Sequence, residues 1–216
     1  PEKVTAFEVG FKSEMLDRRV RLNASAFLTK YKAIQLLTGR RDDIGTLFFP
    51  VDNAGDLEIR GIEAELQARP VEDLSIFASL GYADEKWTDI YDGPFVSEDT
   101  RLPSMSHWNL VVGAQYDVAL GDFGSLLLGG DWSYRSSYYH TTTNSENIKE
   151  DGYGLLGAHA VIEPANANWT LTFWGKNLTD AEYYGWGLDL VPIGNSHGTV
   201  WFGRPREYGA TFRINL

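Results

Sequence analysis

An all-β fold is what this sequence predicts: an antiparallel, up-and-down β-barrel wall built to cross a membrane. Three observations predict it. Apolar residues recur with a period of two along most of the 216 residues, short and long connections alternate strictly, and aromatic residues stand at the ends of the apolar faces. No segment longer than about two turns carries a helical 3.6 period.

Taken in order, a first strand covers about Thr5 to Met15. Val20, Leu22, Ala24, Ala26 and Leu28 then alternate with Arg21, Asn23, Ser25 and Phe27, placing an apolar set on one face and a mostly polar set on the other. The pattern returns at Ile62, Ala64, Leu66 and Ala68 against Gly61, Glu63, Glu65 and Gln67, and at Leu74, Ile76, Ala78, Leu80 and Tyr82. Further copies are Trp108, Leu110, Val112, Ala114 and Tyr116, then Leu126, Leu128, Gly130, Trp132 and Tyr134. A strand over Tyr153 to Glu163 precedes Trp169, Leu171 and Phe173, and the chain ends on Tyr208, Ala210, Phe212, Ile214 and Leu216 against Gly209, Thr211, Arg213 and Asn215. This gives nine strands. The parity of the first strand and of Tyr153 to Glu163 stays open.

The short connections are Leu16 to Arg19, Pro70 to Asp73, Ala119 to Phe123 and Pro164 to Asn168, with Asp, Asn, Pro or Gly turn chemistry. The long ones are Thr38 to Asp56, Thr88 to Ser106, Thr141 to Asp151 and Gly185 to Arg206. Tight turns on one rim and long loops on the other are the asymmetry of outer-membrane barrels. Trp108 and Tyr116 at opposite ends of one apolar face, with Trp132, Tyr134, Tyr82 and Tyr208 ending others, fit the water–lipid boundary. The alternative is a soluble sandwich or barrel whose apolar face meets a core.

Composition removes other classes. A net charge of −11, from 19 Lys+Arg against 30 Asp+Glu, argues against a nucleic-acid partner. The absence of cysteine removes disulfides, thiolate metal sites and thiol nucleophiles. No apolar run approaches the roughly 18 residues of a transmembrane helix. The carboxylates gather in the long connections, at Asp42, Asp43, Asp89, Asp92, Glu98, Asp99, Glu146 and Glu150 among others, leaving the apolar band nearly uncharged. Pro1 to Gly10 lacks the pattern of a signal peptide. An odd number of strands does not close a bacterial barrel, so the expectation is that residues 1–216 are the C-terminal portion of a larger barrel.

The residues resemble the TonB-dependent outer-membrane receptors along essentially the whole chain. Phe7 to Glu14 (FEVGFKSE), Asn23 to Ile34 (NASAFLTKYKAI), Asn53-Ala54-Gly55 with Arg60 to Glu65 (RGIEAE), Lys176 to Asp180 (KNLTD) with Tyr183-Tyr184, and Gly203 to Arg206 (GRPR) with Tyr208-Gly209 match that family's motifs in order. Leu216 departs from it, standing where many members end in Phe. The resemblance implies a barrel of the 22-strand type around a plug, with the plug domain and the N-terminal strands absent here. It implies active import of a scarce nutrient, most often an Fe(III)-siderophore and otherwise haem, cobalamin or a glycan, energised by the TonB complex. The implied setting is the outer membrane of a Gram-negative bacterium, with the bilayer and its lipopolysaccharide, the chain's own plug and an iron chelate as partners. No resident cofactor and no metal site are expected.

Position suggests candidate residues. Arg60, Glu63, Glu65 and Gln67, read as lumen-facing, are candidates for plug contact or ligand passage, or else solvate a wet wall. The aromatics Phe48, Phe49, Tyr91, Phe95, Tyr138, Tyr139, Trp186 and Trp201 are candidates to stack on a planar ligand or sugar, or else pack their own loops. His140 and His197 are candidates to meet a metal-bearing ligand, or else are solvated.

Three further matches carry less. Gly152 to Gly157 fits G-x-G-x-x-G without a following helix. Asn23, Asn168 and Asn177 open glycosylation sequons that a bacterial outer membrane would leave bare. Asp42-Asp43 and Glu98-Asp99 lack a calcium-loop pattern. No nucleophile, His and carboxylate set supports an enzyme. The rival readings are a passive porin-like or adhesin barrel, which lacks a plug, and, further off, a soluble glycan-binding β-domain.

Overall fold

A computed structural model describes residues 1–37, 40–91, 96–189, 191 and 197–214. Asp92, Phe95, Asn215 and Leu216 lie outside the described residues. Nine strands form one antiparallel sheet: β1 (Lys3–Met15), β2 (Val20–Leu37), β5 (Val51–Val71), β6 (Leu74–Ile90), β7 (Trp108–Ala119), β8 (Gly124–Tyr138), β9 (Glu150–Pro164), β10 (Trp169–Lys176) and β13 (Glu207–Ile214). They pair as an unbroken meander, each with its neighbour along the chain. Two hairpins stand apart, β3 (Arg40–Arg41) with β4 (Leu47–Phe48) and β11 (Tyr184–Asp189) with β12 (Gly198–Phe202), both within long connections.

The register turns the period of two into one continuous apolar face. One row of partners runs Val9, Ala26, Ile62, Tyr82, Trp108, and another runs Ala78, Val112, Trp132, Leu156. A third runs Ile162, Leu171, Phe212. The two open parities are settled: Phe7, Val9 and Phe11 of β1, and Leu156, Ala158, Ala160 and Ile162 of β9, belong to the apolar face. Aromatic rings edge it at both ends. Tyr82 and Trp108 pack with ring centroids 4.5 Å apart toward the long-loop rim, and Trp169 and Phe212 lie 5.7 Å apart toward the turn rim. Trp108 to Tyr116 spans about 27 Å along β7 at about 3.4 Å per residue. At the usual barrel tilt that is close to the roughly 25 Å apolar band of an outer-membrane barrel.

The opposite face is polar, and its bulky rings lie flat on glycines. Phe27 pairs with Gly61, Phe77 with Gly113, His159 with Gly129 and Trp174 with Gly209, each ring occupying the space a Cβ would take. A glycine opposite an aromatic lets the ring fold down onto the sheet.

Strands on the long-loop rim run further than the sequence indicates. β5 starts at Val51 and β6 ends at Ile90, inside the expected loops. The segment Asn53-Ala54-Gly55 is the reason. Gly55 has φ +156° and pairs with Ile34, while Ala33, with φ +55°, is left unpaired in the β-bulge beside it. Asn53 Nδ2 donates to the Ala33 carbonyl at 2.5 Å, and the Ala33 N–H donates to Asp56 Oδ1 at 2.9 Å, which closes the bulge.

Candidate functional site

The long-loop rim carries a folded crown, and it starts on the polar face. Leu57, Ile59 and Trp87 follow the parity of Glu63 up β5 and β6. Leu57 and Trp87 form a buried cluster with Ile34 and Ala54, onto which Ile59 and, from the 96–107 connection, Val96 and Leu102 pack. That connection therefore folds over the polar side of the sheet. Trp87 Nε1 donates to the Thr100 carbonyl at 2.6 Å, and buried Glu85 accepts from the Leu102 N–H and meets His107 Nε2 at 2.8 Å. Arg101 lies 3.7 Å from the same carboxylate and donates to the carbonyl oxygens of Met105 and Ser137.

The 139–149 connection adds a second layer. Asn144 Oδ1 accepts from the Arg101 N–H at 2.6 Å while its amide donates to the Arg101 carbonyl at 3.0 Å. The Thr142 hydroxyl donates to the Leu37 carbonyl at 2.7 Å, tying this connection to the end of β2. Ile148 and His140 then pack against Gly187 and Gly198, one face of the β11–β12 hairpin. Glu150, buried, accepts from the Tyr184 N–H at 2.6 Å. At the base of that hairpin Asn177 clasps the chain, accepting from the Ala181 N–H and donating to the carbonyls of Ala181 and Arg204, while Asp180 accepts from the Arg206 N–H. Two sequence motifs, KNLTD and GRPR, are thus two halves of one clasp.

The candidate residues divide. Glu63 and Glu65 stand on the polar face with Asn23 and Ser25, lining a groove of about 830 Å³ below the crown. Gln67 shares their parity. Arg60 does not: it pairs with Leu28 and Asp84 on the apolar side, and its guanidinium meets Asp84 at 3.1 Å. The lumen reading of Arg60 is corrected, because one residue along a strand changes face.

Tyr138 and His140 are buried against each other, rings 5.1 Å apart, instead of open to a ligand. Burial pushes the His140 imidazole below its ordinary value, with Arg135 adding to the effect, and its Nε2 has no hydrogen-bond partner. Tyr139 donates to Glu146 at 2.5 Å, with Lys149 and Arg101 near its ring. That hydrogen bond raises the Tyr139 phenol and holds the Glu146 carboxyl low. Tyr91 donates to Asp56 at 2.8 Å. Trp186 and Trp201 stay exposed, edge to face at 4.5 Å, as do Phe48, Phe49 and His197. Sequence reasoning missed Trp87, Glu85, His107, Arg101 and Asn144, the residues that hold the crown. Asp84, Glu85 and His107 place ligand-type atoms within 4.8 Å of one another, but Arg60 and Arg101 already balance the two carboxylates.

A membrane-barrel wall with tight turns on one rim and an ordered crown on the other is the architecture of an outer-membrane barrel receptor. The chain belongs to the family described as TonB dependent receptor-like, beta-barrel, whose model matches residues 1–178. The ferric-pyoverdine 358 receptor of Pseudomonas putida is 24% identical over 223 residues, covering 100% of this chain and 24% of that protein. Among solved structures, the ferric yersiniabactin uptake receptor FyuA of Yersinia pestis matches 100% of the chain and 30% of its own, at 20% identity and TM-score 0.81. The copper transporter OprC matches 98% and 32% at 20% identity and TM-score 0.72. The chain thus spans about a quarter of the curated relative and about a third of these structures. Its family places it in the outer membrane of Gram-negative bacteria, with the apolar face toward lipid and the polar face toward the lumen.

Proposed function

We propose that this chain is nine strands of the barrel wall of a receptor that imports an Fe(III)-siderophore, energised by TonB. The observation that carries this reading is the crown: ordered on one rim alone, folded over a polar groove, and built on Trp87 and Glu85, it is a vestibule that screens what enters the lumen. A passive pore gains nothing from such a lid. The likeness to the ferric-pyoverdine receptor supports an iron chelate as cargo.

In this reading β1 and β13, each paired on one side among the described residues, join further strands of the same protein, and a plug domain fills the lumen against Glu63 and Glu65. Exposed Trp186 and Trp201 offer ring faces to a ligand above the groove. The rim chemistry leaves the metal of the cargo to be tested, since a copper transporter shares the fold.

The test is uptake of ferric chelates by cells carrying or lacking the gene, under iron limitation, with and without TonB. The expected result is accumulation of iron only when both are present. TonB-independent entry of unrelated solutes would instead mark a passive barrel, and gene-dependent copper uptake without iron uptake would reassign the cargo.

A further inference from the structure

The β11–β12 hairpin has two unlike faces. Trp186, Leu188 and Trp201 stand on the exposed one, and Gly187 and Gly198 on the one turned to the 139–149 connection. Two sets of contacts dock it on the crown. At its base Glu150 accepts from the Tyr184 N–H at 2.6 Å, and the Tyr138 hydroxyl donates to the Tyr184 carbonyl at 3.3 Å. Beyond Tyr184 no hydrogen bond among the described residues ties the hairpin to the 139–149 connection, and the dock rests on the side chains of Ile148 and His140.

The His140 half of that dock is dry. The residue is 8% exposed, its Nε2 is buried without a hydrogen-bond partner, and Cδ2, the carbon bonded to that nitrogen, lies 3.0 Å from where a Gly187 Cβ would stand. Hairpin backbone thus covers the ring edge that carries Nε2. A neutral ring with its proton on Nδ1 suits this place, since Nε2 is then a bare acceptor. A proton added at Nε2 creates a buried charge and a donor that nothing accepts, which a site closed to water strongly disfavours.

The surrounding charges do not offset it. From β8, the Arg135 guanidinium lies 4.5 Å over the same Tyr138 ring that His140 packs against, and it repels a second cation. In the 139–149 connection, Glu146 pairs with Lys149 and accepts from the Tyr139 hydroxyl. Glu150 of β9 is engaged with the Tyr184 N–H, and Asp189 of β11 accepts from the Val191 N–H. β12 (GTVWF) brings no charge.

We propose that His140 is an acid-released pin: protonation at Nε2 undocks the β11–β12 hairpin, which pivots on the Asn177 clasp and carries Trp186 and Trp201 with it. Above about pH 6.5, the ordinary value of a free imidazole, the pin is neutral and the hairpin stays docked. Below it the undocked form takes the proton more readily, so the undocked-to-docked ratio rises by up to about tenfold per pH unit until the docked ring titrates as well. Loss of ligand capture in acid would follow for the Trp186–Trp201 pair, and that consequence rests on the proposed import function. The undocking itself does not.

The test uses the whole receptor in bilayers, with one spin label at Thr199 on the exposed hairpin face and a second at Ala114 on the wall. One narrow interspin distance is expected at pH 7.5. At pH 5 a second, broader population is expected, raised about tenfold relative to the first. His140→Phe, or His140→Leu if the larger ring prevents folding, should keep the narrow distance at both pH values, and Ile148→Ala should show the broad population already at pH 7.5. A wild-type distance unchanged at pH 5, or the same acid-induced population in the His140 variants, overturns the proposal. Neither readout involves cargo, so a failure of gene-dependent iron uptake would strike the import reading and leave the pin standing.

Discussion

Along the wall, large apolar side chains such as Val9 (73% exposed), Phe212 (60%) and Phe173 (48%) stand open. On the crown, Leu57 (0%), Ile148 (1%) and Tyr138 (3%) are buried. Every buried hydrophobic residue among those described lies on the long-loop rim. The two regions face different solvents. In the wall lipid replaces a core, and stability comes from closed hydrogen-bond ladders and a matched apolar face. Above the lipid the loops must make a small water-excluding core of their own, as a soluble domain does.

The difference predicts that each region breaks separately. Trp87→Ala empties the crown core and orphans the Thr100 carbonyl, with an expected cost of about 3–5 kcal/mol. Limited proteolysis should then cut the 96–107 connection, while the wall still resists denaturation on an unheated gel. Loss of both together would show that crown and wall are one cooperative unit. The converse is Val112→Arg, at the middle of the lipid face, expected to cost about 2–4 kcal/mol and to lower the folded fraction recovered in outer membranes. Gln115→Arg, three residues on and facing the lumen, should be nearly neutral. Asn177→Ala removes three hydrogen bonds at the clasp below the β11–β12 hairpin. About 1–3 kcal/mol of local stability is at stake, read as faster hydrogen exchange confined to 177–183 and 203–206.

The two regions also differed in how far the sequence disclosed them. In β2, β5 and β7 the alternation is clean, and face, strand and turn follow from it. β9 hides its parity because Tyr153, Leu155 and Val161 put apolar groups on the lumen face as well. Arg60 stands close to Glu63 and Glu65 in sequence, yet parity alone decides the face, and it puts Arg60 with Leu28 and Asp84. The crown is illegible for a different reason. Its bonds join residues far apart, such as Thr142 to Leu37 and Asn144 to Arg101, and no periodicity marks them. Trp87 and Glu85 look like ordinary strand residues until the 96–107 connection folds over them.

The smallest expected effect separates crown from wall by pH. Buried His140 binds its proton less readily when folded than when unfolded, so the unfolded crown takes up more protons as pH falls below about 6.5. Stability from this group is complete above that value and declines below it. Proteolysis of the crown should therefore be faster at pH 5 than at pH 7.5, and His140→Phe should blunt the difference. An unchanged wild-type rate would remove His140 from the account.

The central claim is that one register sorts every wall residue to lipid or to lumen. A nitroxide scan of the whole receptor in bilayers, placing one label at a time along β7 from Asn109 to Gln115, tests it most directly. Labels at 110, 112 and 114 should collide with oxygen, and labels at 109, 111 and 115 with a water-soluble nickel chelate, in strict alternation. The opposite phase, or no alternation, would contradict the account.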